Sequence, residues 1–285
     1  MLKNMLKLIR PKQWVKNIFV LVPLIFSKTF TDPMSVVKAL AALFCFVLAS
    51  SSVYILNDII DIENDKLHET KRLRPLAAGD VSKGTAALLM VVLFILAIIL
   101  AFLLNSNVVL CIVAYILLNV FYSLYLKKVA IVDIMIISLG FVIRVITGAA
   151  AIDVYISSWV LACAFFISLC LAAGKRKSEK ASLQENSKGH RKVLSVYTDE
   201  FLKALIQTSI TCTTIAYSLY TILEYEIQTP MITILFVVFG LLRYMQLIFE
   251  DDEGRLPEDL ILSDKPMLVT ILLFGITWIM IFLSL

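Results

Sequence analysis

Residues 39–66 read ALAALFCFVLASSSVYILNDIIDIENDK, an apolar run that passes without a break into a series of acidic side chains. If this stretch is one α-helix, Asp58, Asp61 and Asp65 lie within about 60° of one another around its axis. Carboxylates that share a face repel each other unless a cation lies between them. Mg²⁺ prefers oxygen ligands and is usually bound by one or two carboxylates together with substrate phosphates. The pattern predicts that these aspartates bind Mg²⁺ at a membrane surface.

Basic residues follow the aspartates closely in the chain. Arg72 and Arg74 come within the next turns, and guanidinium groups pair well with phosphate oxygens. The alternative interpretation is that these charges only solvate a helix end beside the bilayer. However, Asn57 and Asp58 lie where the span should still be apolar, and polar groups at that depth are costly and usually functional. We therefore favour a metal–diphosphate site.

The composition is that of a membrane protein with several spans. Of the 285 residues, 60% are hydrophobic and 17% are charged, and the mean hydropathy is +0.90. Because a transmembrane helix needs about 20 apolar residues, we expect an all-α fold of nine spans in a single domain covering residues 1–285. The expected spans are 13–31, 37–57, 85–104, 107–126, 131–152, 157–174, 201–222, 230–249 and 267–285. The first is interrupted by Lys16, Pro23 and Lys28 and the seventh is polar, so seven or eight spans remain open.

Basic residues concentrate in alternate loops. They lie before span 1 and between spans 2 and 3, 4 and 5, and 6 and 7, whereas the intervening loops are short and nearly uncharged. The positive-inside rule places the basic face in the cytoplasm. We expect an integral protein of a plasma membrane, with two long hydrophilic loops, 58–84 and 174–200, on the cytoplasmic side. The acidic cluster Glu250–Glu253 has no assigned role.

Several other functional classes fit the sequence poorly. All five cysteines lie inside apolar spans and no C-x-x-C pair occurs, so they are interpreted as packing residues rather than as a disulfide framework or zinc site. There is no Gly-rich phosphate loop. The basic residues lie along the membrane face without interleaved exposed aromatic residues, which argues against nucleic acid as a partner.

A second charged segment opens the loop after span 6. Residues 174–180 read GKRKSEK, in which Lys175 and Glu179 are four residues apart and can pair on a helix end. One interpretation is a juxtamembrane basic cluster that sets topology and contacts anionic lipid. The other is a phosphate-binding segment formed by Lys175 and Arg176, with Glu179 as the nearby acid.

Polar residues also occur inside spans 1 and 5. Arg144 shares a helix face with Asp133 and must lie in a protein interior or a wet cavity. It either pairs with a carboxylate or contacts a substrate phosphate. Near the amino terminus, Lys16 and Asn17 are candidates to line the cytoplasmic mouth of the site, and Trp14 is interpreted as an interface anchor.

Two motifs resemble those of the UbiA-type intramembrane prenyltransferase superfamily. The first is Asn57-Asp58-x-x-Asp61-x-x-x-Asp65 followed by Lys71-Arg72-x-Arg74-Pro75, which is similar to the first aspartate motif of that family. The second is Tyr122-Ser123-x-x-Leu126-Lys127 at the end of span 4, which resembles its Tyr/Lys motif. The resemblance implies helices around a central cavity open to the cytoplasmic side and a Mg²⁺ cofactor.

The second half of the chain departs from the family members that prenylate aromatic compounds. Those carry a second aspartate-rich motif between spans 6 and 7, where this chain has Gly174-Lys175-Arg176-x-x-Glu179. Together with residues 10–17 (RPKQWVKN) and 257–264 (PEDLILSD), this is similar to the decaprenyl-phosphate phosphoribosyltransferase branch. That branch implies phosphoribosyl diphosphate as donor and a polyprenyl phosphate as acceptor, in the synthesis of cell-envelope precursors.

The resemblance also implies roles for individual residues. Asp58, Asp61 and Asp65 would bind Mg²⁺ and the donor diphosphate, with Asn57, Arg72 and Arg74 beside them. The sugar phosphate or the acceptor phosphate would be bound by Lys127, Lys175 and Arg176. Two alternatives remain: an aromatic prenyltransferase that uses a polyprenyl diphosphate, and a transporter. The transporter is disfavoured because the polar residues crowd one face and no internal repeat is evident.

Overall fold

The computed structural model describes residues 2–67, 71–181, 192–251 and 254–284. Every regular element within these ranges is an α-helix or a 3₁₀-helix, which confirms the predicted all-α class. The described chain divides into two compact units, one formed by residues up to Ile156 and the other by residues from Ser157 onward. The predicted single domain and central cavity stay predictions.

The first unit begins with short helices and continues with long ones. Its α-helices are α1 (Leu2–Leu8), α2 (Val22–Phe26), α3 (Pro33–Ile60), α4 (Ile62–Lys66), α5 (Lys83–Leu104), α6 (Ser106–Leu124) and α7 (Val132–Ile152). The 3₁₀-helices are Pro11–Leu21, Thr29–Thr31, Lys71–Leu73 and Leu126–Lys128. The longest helix of this unit, α3, ends at the aspartate motif.

Polar caps fix where the long helices of the first unit begin. The carboxylate of Asp32 accepts hydrogen bonds from the backbone amides of Met34 and Ser35, and Pro33 occupies the first position of α3. Ser82 and Asn105 cap α5 and α6 in the same way. These caps satisfy amide groups that have no partner inside the helix.

Helix α3 is, together with α7, the most enclosed long helix of this unit. It packs against α5, α6 and α7 and against the 3₁₀-helix Pro11–Leu21, around a core that includes Phe46, Ile112 and Tyr115. The apolar window of α3 is 61% buried, whereas that of α5 is 17% buried. The helix that leads into the aspartates is therefore surrounded by protein, while α5 keeps most of its apolar surface for lipid.

The 3₁₀-helix Pro11–Leu21 lies unusually close to α7. A Cβ atom at Gly148 of α7 would lie 1.9 Å from the backbone oxygen of Val20, closer than any real contact allows. Glycine at position 148 is thus required for this approach. The segment therefore packs tightly against α7 within the first unit.

The second unit contains five α-helices and the 3₁₀-helices Lys192–Ser195 and Thr229–Ile232 in the described residues. The α-helices are α8 (Ser158–Ala181), α9 (Asp199–Leu223), α10 (Thr233–Glu250), α11 (Pro257–Ser263) and α12 (Lys265–Ser284). Helices α8 and α9 pack side by side and α10 packs on α12, around a core that includes Ile206, Tyr244 and Ile248. Thr198 caps α9 through the amide of Phe201.

Seven helices in the described residues are long and apolar enough to cross a membrane. The predicted spans 13–31 and 201–222 are not among them, so the count of nine is not confirmed. Residues 13–31 form short 3₁₀ and α-helical pieces with turns between them. Helix α9 is long enough to span a membrane, but no stretch of it is as apolar as the apolar windows of the seven candidate helices.

One predicted loop boundary is wrong. We expected a hydrophilic loop to begin at Gly174, but α8 continues to Ala181 and includes the whole segment GKRKSEK. The reason is local: this segment has good helix formers, and buried Arg176 pairs with Glu179 on the next turn. Charged composition marked the end of the apolar span but not the end of the helix.

Candidate metal–diphosphate site

The three aspartates do not lie on one continuous helix. Helix α3 ends at Ile60, Asp61 has φ −96° and ψ 8°, and α4 begins at Ile62. Backbone hydrogen bonds still join Asp61 to Asn57 and Asp65 to Asp61 across this break. The expected continuous helix is therefore interrupted at Asp61, and Asp61 has a different ion-pair partner from Asp58 and Asp65.

Asp58 is buried and is bound by two arginines. Nη2 of Arg10 and Nη1 of Arg74 both contact Oδ1 of Asp58, the second at 3.1 Å. A buried carboxylate is stable only when it is paired and hydrogen-bonded. The two guanidinium groups supply that compensation from parts of the chain on either side of the motif.

The other two aspartates are also paired. Nη1 of Arg74 donates to Oδ2 of Asp65 at 2.6 Å, so Asp58 and Asp65 converge on one cationic nitrogen. Nζ of Lys127, which is largely buried, donates to Oδ1 of Asp61 at 2.6 Å. The structure thus pairs Asp58 and Asp65 with Arg74, and Asp61 with Lys127.

The donor set has the chemistry that Mg²⁺ requires. Within the described ranges, no three His, Cys, Asp or Glu side chains are arranged to hold a metal ion together. Two carboxylates nevertheless converge where Asp58 and Asp65 meet Arg74, and Oδ1 of Asn57 is buried without a hydrogen-bond partner. Two converging carboxylates, with an unpartnered buried oxygen on the residue that precedes Asp58, fit a hard cation that takes few protein ligands and completes its shell with phosphate and water.

A second buried cation lies in the same unit. Nε of Arg144 donates to Oδ1 of Asn17 at 2.9 Å, and its Nη2 donates to the hydroxyl of Tyr115 at 3.2 Å. Asn17 in turn donates to Oγ of Ser50 on α3 at 3.0 Å. Arg144 is therefore hydrogen-bonded to neutral groups, and no carboxylate pairs with it in the described part of the chain.

Aromatic rings complete the environment of Arg144. Its guanidinium carbon lies 5.0 Å from the ring centroids of Phe46, Tyr115 and Phe141. Ring faces attract cations, more strongly where water is excluded. The sequence left two interpretations of Arg144 open, pairing with a carboxylate or contact with a substrate phosphate. In the described residues, no carboxylate pairs with it.

The remaining predicted residues of this unit are half-buried or exposed and lie on three different helices. Lys16 is half-buried on the 3₁₀-helix Pro11–Leu21, Arg72 is exposed on the 3₁₀-helix Lys71–Leu73, and Tyr122 is half-buried near the end of α6. Each takes part in interactions within the protein. Their binding roles stay predictions.

The basic segment of the second unit is part of α8. Arg176 is buried and its Nη1 donates to Oε2 of Glu179 at 2.6 Å, while Lys180 pairs with Asp199 at 2.9 Å. Lys175 is half-buried. A Cβ atom at Gly174 would lie 2.1 Å from the Tyr244 hydroxyl, so glycine is required where α10 approaches α8.

Sequence reasoning missed Arg10 as a partner of the aspartates. It lies 48 residues from Asp58, and only its place in the RPKQWVKN segment pointed to it. The acidic cluster acquires a partial explanation, because Asp251 accepts hydrogen bonds from the backbone and side chain of Arg255. Asp252 and Glu253 lie outside the described residues.

Comparison with known proteins identifies the family. The model of the UbiA prenyltransferase family matches residues 18–262. The chain belongs to the UbiA prenyltransferase family and is an integral membrane protein. It is 33% identical to a decaprenyl-phosphate phosphoribosyltransferase of Mycobacterium tuberculosis, with 97% of this chain and 92% of that protein covered. It is 35% identical to a protein of the same description from Mycolicibacterium smegmatis, over 77% of this chain and 70% of that one.

Solved structures agree with this assignment at the level of the fold. A UbiA homolog from Archaeoglobus fulgidus, bound to DMAPP and Mg²⁺, has a TM-score of 0.74 to this chain at 18% identity. The similarity covers 99% of this chain and 100% of that one. At this identity the comparison establishes the shared fold, and the chemistry must come from the residues.

Proposed function

We propose that this protein transfers the 5-phosphoribosyl group of phosphoribosyl diphosphate to a polyprenyl phosphate, such as decaprenyl phosphate, and releases diphosphate. Its relatives of that description are similar to it over nearly the whole chain. The proposed reaction is Mg²⁺-dependent, takes place on the cytoplasmic side of a bacterial plasma membrane and supplies a cell-envelope precursor. The positive-inside pattern of the loops supports that orientation.

One observation carries the proposal: each of the three aspartates of the motif is paired with a basic residue from a separate part of the first unit. Asp58, Asp61 and Asp65 contact Arg10, Arg74 and Lys127, which come from separate segments of the first unit. A diphosphate donor with a bound metal ion needs both kinds of group. The carboxylates suit the cation, and the guanidinium and ammonium groups suit the phosphate oxygens.

Asp58 and Asp65, together with Asn57 and Asp61, are the residues proposed to hold Mg²⁺. The ion would neutralise charge that develops on the departing diphosphate. Arg72 and Arg74 would bind that same group. Lys127 is close enough to the aspartates, through Asp61, to bind a phosphate at the edge of the cluster.

The proposed reaction needs no strong general base. One oxygen of the lipid phosphate, already anionic, attacks C1 of the ribose and forms the new C–O bond. The bond between C1 and the diphosphate oxygen breaks, and its electron pair leaves with the diphosphate. Positive charge develops on the ribose ring in between, so catalysis rests on positioning and electrostatic stabilisation.

The basic residues of α8 are proposed to bind the additional phosphates of this reaction. Phosphoribosyl diphosphate carries a 5-phosphate, and the acceptor is itself a phosphate. Lys175 and Arg176 suit these anions better than a second acidic motif would, with Glu179 orienting Arg176. Lys16, Asn17, Tyr122 and Arg144 are proposed to complete the substrate-binding surface of the first unit.

The test is a transfer assay that crosses donors with acceptors. Purified protein in detergent is offered phosphoribosyl diphosphate or a polyprenyl diphosphate, each with a polyprenyl phosphate or an aromatic acid. We expect product only from phosphoribosyl diphosphate with the lipid phosphate, and none after EDTA treatment. Prenylation of the aromatic acid, with no phosphoribosyl lipid, would contradict the proposal and favour the aromatic alternative.

A further inference from the structure

We propose that Arg10 is a phosphate-binding residue which Asp58 holds in an ion pair until the diphosphate of the donor arrives. The proposal rests on the proposed function only in requiring a donor that carries a diphosphate. Arg10 lies outside the aspartate motif and outside the Tyr/Lys motif, and it is 48 residues from Asp58 in the sequence.

The pairing at Asp58 is asymmetric. Arg10 and Arg74 share Oδ1 of Asp58, but Arg74 is also bound to Asp65 at 2.6 Å. Within the described ranges Arg10 has no other ion-pair partner, and its remaining contact is with the ring of Tyr54, 5.4 Å from the guanidinium carbon. Arg10 is thus the guanidinium that can leave while Asp58 and Asp65 stay compensated.

The amino-terminal segment places Arg10 at this point. It runs antiparallel to α3, with Asn17 on Ser50, Trp14 on Ser51 and Arg10 on Asp58. Nε1 of Trp14 also donates to the backbone oxygen of Ile9 at 3.1 Å, which fixes the chain just before Arg10.

Two further features make this placement specific. Arg144 anchors the far end of the segment through Asn17, and Gly148 permits its close contact with α7. Arg10 itself has φ 50° and ψ 63°, in the left-handed region that side chains other than glycine rarely adopt. A strained residue persists where the surroundings determine it, and such residues concentrate at functional sites.

The charges explain why Arg10 would leave Asp58 and bind a phosphate. Oδ1 of Asp58 cannot serve a metal ion and two guanidinium groups at the same time, because the cations repel one another. A phosphate offers Arg10 a replacement anion whose geometry matches the guanidinium fork. The long side chain can turn from Asp58 to that phosphate while the backbone of the segment stays docked.

Binding of pyrophosphate tests this without depending on ribose or lipid. Isothermal titration of purified protein with pyrophosphate in the presence of Mg²⁺ would compare wild type with Arg10→Gln. Loss of one charge-assisted contact predicts a Kd that rises about tenfold or more. Lys12→Gln removes the same charge from an exposed position on the same segment and should change the Kd less than about twofold. Arg10→Lys, which keeps the charge but loses the fork, should fall between.

Hydrogen exchange of the amides in Pro11–Leu21 separates phosphate binding from a merely structural role. The proposal predicts unchanged exchange in Arg10→Gln together with the raised Kd. It is overturned if Arg10→Gln binds pyrophosphate as wild type does, if wild type does not bind it, or if the Kd rises only along with faster exchange throughout the segment. A failed lipid-transfer assay with an intact Arg10 effect would instead reject the proposed function alone.

Discussion

The two charged clusters of this protein are built from contacts of different range. In the first unit, Asp58 meets arginines 48 and 16 residues away, and Asp61 meets a lysine 66 residues away. In the second unit, Arg176 meets Glu179 three residues further along α8. The first cluster exists only in the folded chain, whereas the Arg176–Glu179 pair can form within one helix, with Lys180 reaching Asp199 on α9. We infer that the first cluster is where substitutions affect chemistry most, and that the second depends more on local helix structure.

The largest expected effect comes from Asp58→Asn. The amide keeps the size of the side chain but cannot bind a cation as a carboxylate does, so kcat/KM for phosphoribosyl transfer should fall on the order of 100-fold or more. Asp80→Asn, at an exposed position after the same motif, is the matched control and should retain nearly full activity. Near-normal turnover of Asp58→Asn would remove the aspartate cluster from the mechanism.

Lys127→Met should give the next largest effect. The substitution leaves the largely buried carboxylate of Asp61 without its ammonium partner. Breaking a buried ion pair in this way costs about 3 kcal/mol of stability. We expect a lower Tm in detergent and a loss of transfer activity of about tenfold or more. Lys128→Met changes the exposed neighbouring lysine and should leave both quantities close to wild type. Equal effects of the two substitutions would show that net charge, not this contact, matters.

Glu179→Gln should have a smaller effect, because its contact with Arg176 is local and the Glu179 side chain is 28% exposed. The amide oxygen still accepts a hydrogen bond, so we expect a loss of about 1–2 kcal/mol in thermal unfolding and less than about tenfold in activity. Glu200→Gln, exposed on α9, is the control in the same unit. If Glu179→Gln abolished activity as Asp58→Asn does, the contrast between the two clusters would fail.

The smallest expected effect concerns pH. Nε and Nη2 of Arg243 donate to both oxygens of Asp264, and these hydrogen bonds lower the pKa of Asp264 below its usual 3.8. Since the folded-state pKa is the lower one, the pair stabilises the fold fully above about pH 4 and loses this contribution as the pH falls through the folded-state pKa. Asp264→Asn should therefore lower Tm slightly at pH 7, and the difference from wild type should vanish in acid. A difference that grew in acid would contradict the assignment.

Much of the fold could be predicted from hydropathy and charge. Seven predicted spans correspond to helices that are long and apolar enough to cross a membrane. The other two predicted spans are the ones in which the sequence shows polar residues. Residues 13–31 form several short helices that also make tertiary contacts. They are held against α3 and α7 by contacts such as Asn17 with Arg144, which local hydropathy does not register.

The site could be predicted in its residues but not in its pairing. Asp58, Asp65, Arg74 and Lys127 belong to recognisable motifs, and the structure brings them together. The helix break at Asp61 and the ion pair of Arg10 with Asp58 could not be predicted from the residue spacing of the motif. Helical periodicity carries no information about segments 48 residues apart. Long-range ion pairs of this kind depend on how the helices pack.

The most direct measurement of the central claim follows the two phosphate groups of the donor separately. Phosphoribosyl diphosphate is prepared with label either in its 5-phosphate or in its diphosphate, and each is incubated with the protein, Mg²⁺ and decaprenyl phosphate. We predict that the 5-phosphate label enters the lipid fraction and the diphosphate label is released as pyrophosphate in equal amount. Diphosphate label in the lipid, or no label there while a prenyl diphosphate is consumed, would contradict phosphoribosyl transfer.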